Sequence, residues 1–166
     1  FLLLDLFYPF DSKKVKLVAI TGTNGKTTTV HLSLKIAELL GKKALSIGTM
    51  GVCTANGIEL ESGLTTPSLI FVRKILFQYQ DRVDVAFIEA SSHGLHQGRL
   101  FGLTFDCAGW TNFTQDHLDY HENMDEYFRC KTLIFDYLKK DQEAELFIPS
   151  SESDLKEMLT TFSFST

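Results

Sequence analysis

A glycine-rich turn near the start of the chain constrains the fold more than any other feature of the sequence. Residues 15–20 are largely apolar and β-branched, residues 21–26 read TGTNGK, and from Thr27 apolar residues recur at helical spacing until Gly41. In a turn of this kind, successive backbone N–H groups point at one anion, and the N-terminus of the following helix adds favourable potential. The segment therefore predicts a strand, a phosphate-binding loop and a helix.

The residue types in this loop suit contact with a nucleoside triphosphate. Gly22 and Gly25 allow the backbone to approach phosphate closely, and Lys26 can reach the β- and γ-phosphates. A hydroxyl from Thr27 or Thr28 can meet Mg²⁺. Isoleucine replaces the first glycine of the full G-x-x-x-x-G-K-[ST] pattern, so an ordinary strand-to-helix turn stays open as an alternative. The predicted nucleotide-binding set is Gly22, Thr23, Asn24, Gly25, Lys26, Thr27 and Thr28.

Predicted strands and helices alternate along the rest of the chain. Thr66 and Pro67 are typical of an N-cap and first helical residue, and Asp125 and Glu126 are typical of the first turn of a later helix. This alternation predicts an α/β fold with a mostly parallel sheet flanked by helices, in which strand ends line one edge. Predicted strands cover residues 15–20, 43–49, 83–90 and 105–112, a hairpin-like stretch covers 55–63, and a strand and short helix fall within 144–162.

Composition and cysteine spacing argue against several classes of function. The 166 residues, 44% of them hydrophobic, suffice for one domain with a sizeable core. A formal charge of −5 argues against general nucleic-acid binding, which needs a basic surface. The three cysteines form no CxxC pair, so their spacing predicts neither a disulfide framework nor a zinc site and fits a reducing compartment. The opening FLLLDLF is too short and interrupted for a signal peptide or membrane span, so we expect no membrane insertion.

Several stretches of the sequence carry a family resemblance. ITGTNGKTTT (20–29) resembles the ATP-binding signature of the Mur ligase superfamily, whose members form amide bonds by ATP-driven acyl-phosphate chemistry. Similarity to the central domain of the MurE type, which adds the third residue of the peptidoglycan stem peptide, extends over residues 7–137. This resemblance implies a P-loop NTPase-like fold. The further matching stretches are LTTP (64–67), EASSHGLHQGR (89–99), TNFTQDHLDYH (111–121) and YFRCKTLIF (127–135).

The resemblance also predicts a domain organisation. Residues 1–14 are similar to the junction that leads from the family's N-terminal domain, and residues 15–166 to its ATP-binding central domain, which we expect to be incomplete. No stretch resembles the family's C-terminal domain. We therefore expect the chain to be inactive as a ligase on its own.

Four side chains are predicted to act at a metal ion. Glu89 ends an apolar strand near the phosphate loop, so its carboxylate can hold Mg²⁺, although a solvent-facing acid gives the same pattern. The resemblance implies that His117 is a second Mg²⁺ ligand and that Lys131 is carbamylated to an anion that positions the ion. Helical pattern alone predicts a solvated ammonium for Lys131. A lone histidine is more often a hydrogen-bonded structural group than a ligand, which favours structural roles for His96 and His121. The implied catalytic residues are Lys26, Glu89, His117 and Lys131, and the implied metal ligands are Thr27, Glu89, His117 and carbamylated Lys131.

Four further residues are implied to bind the acceptor. Thr65, Thr66, Ser91 and Arg99 match positions that hold the muramyl-dipeptide part of the nucleotide substrate in MurE-type enzymes. Arginine suits an acidic substrate because its planar fork grips a carboxylate or phosphate in two places. For Thr66, a purely structural N-cap role is the alternative.

The complete function implied by the resemblance is an ATP- and Mg²⁺-dependent ligase of the bacterial cytoplasm. Its substrates would be UDP-MurNAc-L-Ala-D-Glu and a diamino acid, and we expect a monomer. Two alternatives stay open: a non-catalytic P-loop module that binds nucleotide, and a ligase similar to folylpolyglutamate synthetase.

Overall fold

A central sheet of seven strands organises the computed structural model, which describes residues 2–140 and 144–161. In chain order the strands are β1 (Lys16–Thr21), β2 (Ala44–Gly48), β3 (Gly51–Thr54), β4 (Gly57–Leu60), β5 (Val85–Glu89), β6 (Cys107–Trp110) and β7 (Glu145–Phe147). Across the sheet they stand in the order β4-β3-β2-β5-β1-β6-β7. The five strands from β2 to β7 in this order are parallel, and β3 and β4 add an antiparallel hairpin. The predicted mostly parallel α/β sheet is confirmed.

Helices cover both faces of this sheet. They are α1 (Leu2–Phe7), α2 (Lys26–Leu39), α3 (Leu69–Tyr79), α4 (Ser92–His96), α5 (Met124–Thr132), a 3₁₀ helix (Leu133–Tyr137) and α6 (Ser153–Thr161). In β5, Ile88 joins the largest apolar cluster with Val72 of α3, whereas Phe87 packs beside Leu34 of α2. Because successive strand residues point to opposite faces, α2 and α3 lie on opposite sides of the sheet.

The strand register brings several loops to one edge. Ile20 of β1 is level with Glu89 of β5 and with Gly109 of β6, while Ile47 of β2 is level with Ile88. The carboxyl ends of these parallel strands therefore coincide, which is where open α/β sheets bind ligands. The loops after β1, β2, β5 and β6 build the candidate site.

One predicted helix start is wrong. Ser68, not Thr66, is the N-cap of α3, and its hydroxyl accepts the Phe71 N–H at 3.4 Å. Thr66 is unavailable for capping because its buried hydroxyl donates to the carbonyl oxygen of Glu89 at 2.8 Å. The prediction for α5 is confirmed, with Asp125 in its first turn.

Small parts of the predictions lie outside the described residues. They are the last residue of the segment 144–162, and residues 1, 141–143 and 162–166 of the two predicted domain ranges. Within the described ranges, each helix is too short or too polar to cross a lipid bilayer.

Candidate functional site

The predicted phosphate loop joins β1 to α2 and has the backbone of an anion site. Gly25 occupies the N-cap position in the left-handed region, with φ 82°, and provides no side-chain hydrogen bond to the helix. The first N–H groups of α2 are therefore free of a capping side chain and available to an anion. Gly22 has φ 138°, and a Cβ there would lie 1.9 Å from Thr111 Oγ1. Glycine is required at position 22 by both conformation and space.

Residues that follow β6 in the chain hold this loop in place through hydrogen bonds. Thr111 Oγ1 donates to the carbonyl oxygen of Asn24 at 2.6 Å, and Asn112 Oδ1 accepts the Asn24 N–H at 2.9 Å. The Tyr127 hydroxyl donates to Thr23 Oγ1 at 3.1 Å. Sequence analysis assigned no role to these three contacts. The signal available for Thr111 and Asn112 is their position directly after a strand that ends at the same edge of the sheet.

Two lysines converge on the carbonyl oxygen of Gly22. Lys26 Nζ donates to it at 2.9 Å and to the carbonyl oxygen of Thr23 at 2.8 Å, and Lys131 Nζ donates to it at 2.7 Å. Lys131 is 1% exposed, and its ammonium lies 4.7 Å from the centroid of the Tyr127 ring. The solvated ammonium predicted by helical pattern is therefore wrong, because α5 turns this side chain toward the loop.

Burial and mutual repulsion shift the protonation of both lysines. Burial, followed by the charge of Lys26, lowers the pKa of Lys131 to about 7. Burial also lowers the pKa of Lys26, against the opposing effect of the Glu89 and Asp116 carboxylates. A bound phosphate would favour the charged form of both lysines, because an anion nearby offsets burial and their mutual repulsion.

The lowered pKa of Lys131 predicts a pH-dependent stability. In the unfolded chain Lys131 keeps its proton up to its ordinary pKa of 10.5, but in the folded chain only below about 7. The unfolded state binds more protons between these values, so stability rises with pH across that window. In CO₂-free buffer, we expect the Lys131 contribution to unfolding free energy to rise by about 1–3 kcal/mol from pH 7 to pH 9. Urea unfolding at both pH values measures this.

The pH effect is read as a difference between variants. Lys131→Met should lose the rise, while Lys42→Met, at an exposed lysine, should keep it. Equal pH dependence in wild type and Lys131→Met would contradict the shifted pKa.

The carboxylate of Glu89 lies beside the loop, as predicted. It is 1% exposed; Oε1 accepts the Thr49 N–H at 2.8 Å, and Oε2 accepts hydroxyl hydrogen bonds from Thr27 at 2.9 Å and Thr49 at 3.2 Å. Of the two candidate hydroxyls, Thr27 therefore reaches the acid, whereas Thr28 is exposed. Gly48 leaves room for the acid, since a Cβ there would lie 2.1 Å from Glu89 Oε1. Thr49 was missed, although it directly follows β2 at the site edge.

The oxygen atoms at and around Glu89 are suitable ligands for Mg²⁺. A carboxylate and two hydroxyls converge within hydrogen-bond distance, and oxygen is the ligand type that Mg²⁺ prefers. His117 offers nitrogen instead. It has φ 54°, its N–H donates to Asp116 Oδ1 at 2.8 Å, and its Nε2 lies 3.5 Å from Asp116 Oδ2. Asp116 thus lies beside both the backbone N–H and the ring of His117.

One cleft of about 230 Å³ collects most of the other predicted residues. Lys26 and His117 line it from the loop side, and Arg99 lines it from the segment after α4. This places the phosphate loop and the predicted acceptor residues around one space. The full lining is Lys26, Leu64, Thr65, Thr66, Ser91, His93, Arg99 and His117.

Three residues predicted to bind the acceptor substrate make hydrogen bonds within the protein. The Thr66 hydroxyl donates to the Glu89 carbonyl and accepts the Ser91 N–H at 2.9 Å. Ser91 Oγ accepts the Gly94 N–H at 3.0 Å and so caps α4. Arg99 Nη1 donates to the Thr66 carbonyl oxygen at 2.7 Å. These bonds fix the shape of the cleft wall.

Four histidines form a ring cluster at the cleft: His93, His96, His117 and His121. His93 lies 4.8 Å from His117 and 5.6 Å from His121 between ring centroids. Burial, the largest cause, lowers the pKa of both His93 and His121. His121 Nε2 is 2.9 Å from Ser92 Oγ, and exposed His96 is hydrogen-bonded to Tyr120 at 3.0 Å, so both histidines have hydrogen-bond partners within the protein.

Known proteins are similar to this chain in sequence and in fold. The model of the Mur ligase middle domain family matches residues 20–164, which extends past residue 137, where the motif resemblance ended. The UDP-N-acetylmuramoyl-L-alanyl-D-glutamate–2,6-diaminopimelate ligase of Bacillus licheniformis is 44% identical over 135 residues, covering 81% of this chain and 28% of that protein. The chain thus spans less than a third of that relative's length.

Solved structures agree at the level of the fold. A structure of a UDP-N-acetylmuramoyl-L-alanyl-D-glutamate–2,6-diaminopimelate ligase matches with a TM-score of 0.73 at 29% identity, covering 89% of this chain and 29% of that one. E. coli FolC in complex with DHPP and ADP matches with a TM-score of 0.63 at 18% identity, covering 95% of this chain and 42% of that one. The FolC likeness supports a shared fold alone.

Proposed function

Because this chain belongs to the Mur ligase middle domain family, we propose that it is the ATP-binding part of a ligase that adds a diamino acid to UDP-MurNAc-L-Ala-D-Glu. The observation that carries the proposal is the cleft in which Lys26 of the phosphate loop faces Arg99 and Thr65. The 44% identity to a diaminopimelate ligase supports this acceptor over a folate. Its setting would be the bacterial cytoplasm, and its state a monomer.

The proposed reaction has two steps. The γ-phosphoryl group of ATP passes to the substrate carboxylate, so the bond to ADP breaks and an acyl phosphate forms. The amino-acid amine then attacks the acyl carbon, loses a proton and expels phosphate, leaving an amide. Lys26 would leave the carbonyl oxygens of Gly22 and Thr23 and donate to the β- and γ-phosphates, offsetting charge on the transferred group. Arg99 and Thr65 would hold the acceptor in line.

When bound, Mg²⁺ would neutralise phosphate charge during phosphoryl transfer. Glu89 and Thr27 would hold it, since their oxygens already meet at 2.9 Å beside the loop. His117 is proposed as a further ligand. Asp116 would keep the His117 ring oriented for this role.

Lys131 is proposed to be carbamylated. The ammonium would first lose one proton. The neutral amine would then add to the carbon of CO₂, forming an N–C bond as one C=O π bond opens, and would release a second proton, so that a buried cation becomes an anion. Burial at 1% exposure beside Lys26 favours that change, because it replaces repulsion with attraction. The anion would then help hold Mg²⁺.

We expect ¹³C-bicarbonate to produce one carbamate carbon signal in the folded chain. The signal should be absent in Lys131→Ala and present in Lys139→Ala, a lysine that instead pairs with Asp106. Carbon NMR of both variants, with circular dichroism as a check of folding, measures this. A spectrum of folded wild type without the signal would refute carbamylation.

Acceptor dependence tests the proposed function. In a full-length protein containing this domain, ADP release should require UDP-MurNAc-L-Ala-D-Glu together with a diamino acid. Stimulation by a folate instead would assign the folylpolyglutamate synthetase-like alternative. Nucleotide binding without any acceptor-stimulated turnover would assign a non-catalytic module. The 166-residue chain alone should give no turnover.

A further inference from the structure

Three side chains with metal-binding atoms meet outside the cleft. A ring nitrogen of His96, a carboxylate oxygen of Glu126 and Cys130 Sγ all lie within 4.8 Å of one another. The proposed ligase chemistry uses none of the three. We propose that His96, Glu126 and Cys130 form a binding site for a thiophilic divalent cation of the Zn²⁺ class.

Two packed helices supply the ligands. His96 ends α4, while Glu126 and Cys130 stand four residues apart on α5. Residues at i and i+4 are neighbours on one helix face, so the acid and the thiol point the same way. Packing of α4 against α5 then brings His96 to that face.

Local contacts orient these ligands before any ion binds. The Tyr120 hydroxyl lies 3.0 Å from His96 Nδ1, and Gln97 Nε2 donates to the same hydroxyl at 3.2 Å. The Glu126 carboxylate accepts the Glu122 N–H, and this bond holds it at the start of α5. Cys130 is 5% exposed and His96 is exposed, so the cluster has a buried thiol beneath an open histidine. An ion can reach it from solvent.

The donor set selects the kind of ion. One sulfur, one nitrogen and one oxygen suit Zn²⁺, which commonly takes these ligands in tetrahedral sites. Mg²⁺ prefers oxygen alone and would favour the Glu89 site. Binding would form a metal–sulfur bond as the thiol releases its proton to solvent, with water completing four-coordination.

Such an ion would link α4 to α5, the helix that carries Lys131. α4 begins after Ser91, which lines the cleft. Because an ion that binds only the folded form stabilises it, Zn²⁺ should raise the unfolding temperature. The effect should depend on His96 and Cys130.

The experiment titrates the 166-residue chain with Co²⁺ as a spectroscopic stand-in for Zn²⁺, with excess Mg²⁺ present and a phosphine reductant. We expect one equivalent to produce a thiolate-to-cobalt charge-transfer band that Zn²⁺ abolishes. His96 is exposed, so we expect His96→Gln to fold like wild type. Both His96→Gln and Glu126→Gln should weaken Co²⁺ binding at least about tenfold. Cys130→Ser should remove the band.

Cys107→Ser is the matched control, because Cys107 is also a free cysteine but lies on β6, outside the cluster. It should keep both the band and the Zn²⁺-induced rise in unfolding temperature. The proposal is overturned if wild type gives no band, if His96→Gln binds Co²⁺ as tightly as wild type, or if the band persists in folded Cys130→Ser.

Discussion

Replacing Lys26 with alanine is expected to weaken ATP binding by about 10- to 100-fold, because a hydrogen bond to a charged group contributes about 1.5–3 kcal/mol. The Lys26 ammonium lies against the loop, 2.9 Å from the Gly22 carbonyl oxygen and 2.8 Å from that of Thr23. In a full-length ligase the same change should reduce kcat by about 10²- to 10³-fold, the cost of removing one preorganised donor to developing charge. Calorimetric titration with ATP and Mg²⁺ measures the first effect, and ADP release the second.

The control separates loss of charge from loss of structure. Lys131 still donates to the Gly22 carbonyl in Lys26→Ala, so the loop keeps one of its two lysine contacts. Lys35→Ala removes a lysine from the same helix that pairs with Glu38, and it should bind ATP like wild type. Circular dichroism must show that all three proteins are folded. A folded wild-type chain that binds no ATP, or a Lys26→Ala variant that binds normally, would contradict the phosphate-loop assignment.

Glu89→Gln is expected to abolish the dependence of ATP affinity on Mg²⁺. The amide keeps the shape of the carboxylate and can still accept the Thr49 N–H, which now donates to Oε1 at 2.8 Å. It lacks the negative charge that a hard cation needs. Titration with ATP in Mg²⁺ and in EDTA should show a large affinity ratio for wild type and a ratio near unity, within about twofold, for Glu89→Gln.

A second variant reaches the same acid without changing it. The new methyl group of Gly48→Ala would lie 2.1 Å from the present position of Glu89 Oε1. It should displace the carboxylate and reduce the dependence of ATP affinity on Mg²⁺. Glu59→Gln, at an exposed position on β4, should keep the wild-type ratio. A full Mg²⁺ effect in folded Glu89→Gln would remove Glu89 from the metal site.

Local patterns were enough to predict the centre of this protein. The glycines of the loop, the strand before it and the helix after it act over a few residues, so the sequence indicated the phosphate loop between β1 and α2. Glu89 was found for a related reason, because parallel strands end at a common edge. Thr49 follows the same rule, yet threonine is too common after strands to stand out without a partner in view.

Predictions that depended on distant partners fared less well. Threonine is a common N-cap residue, but the hydroxyl of Thr66 instead donates to the carbonyl oxygen of Glu89, 23 positions away. Lys131 has the pattern of a solvated lysine, but its ammonium reaches the Gly22 carbonyl 109 positions away. The cysteine spacing carried no sign of the cluster of His96, Glu126 and Cys130, because packing of α4 on α5 brings these side chains together.

By itself, then, the sequence determined the α/β class, the family and the strand, turn and helix that carry the predicted phosphate loop, since helical and strand periodicity, glycine conformation and short motifs are properties of neighbouring residues. Only the tertiary structure decided which polar groups are buried and with whom they pair. Those outcomes follow from contacts between residues far apart in the chain. Burial of Lys131 lowers its pKa, and packing of α4 on α5 brings His96, Glu126 and Cys130 together.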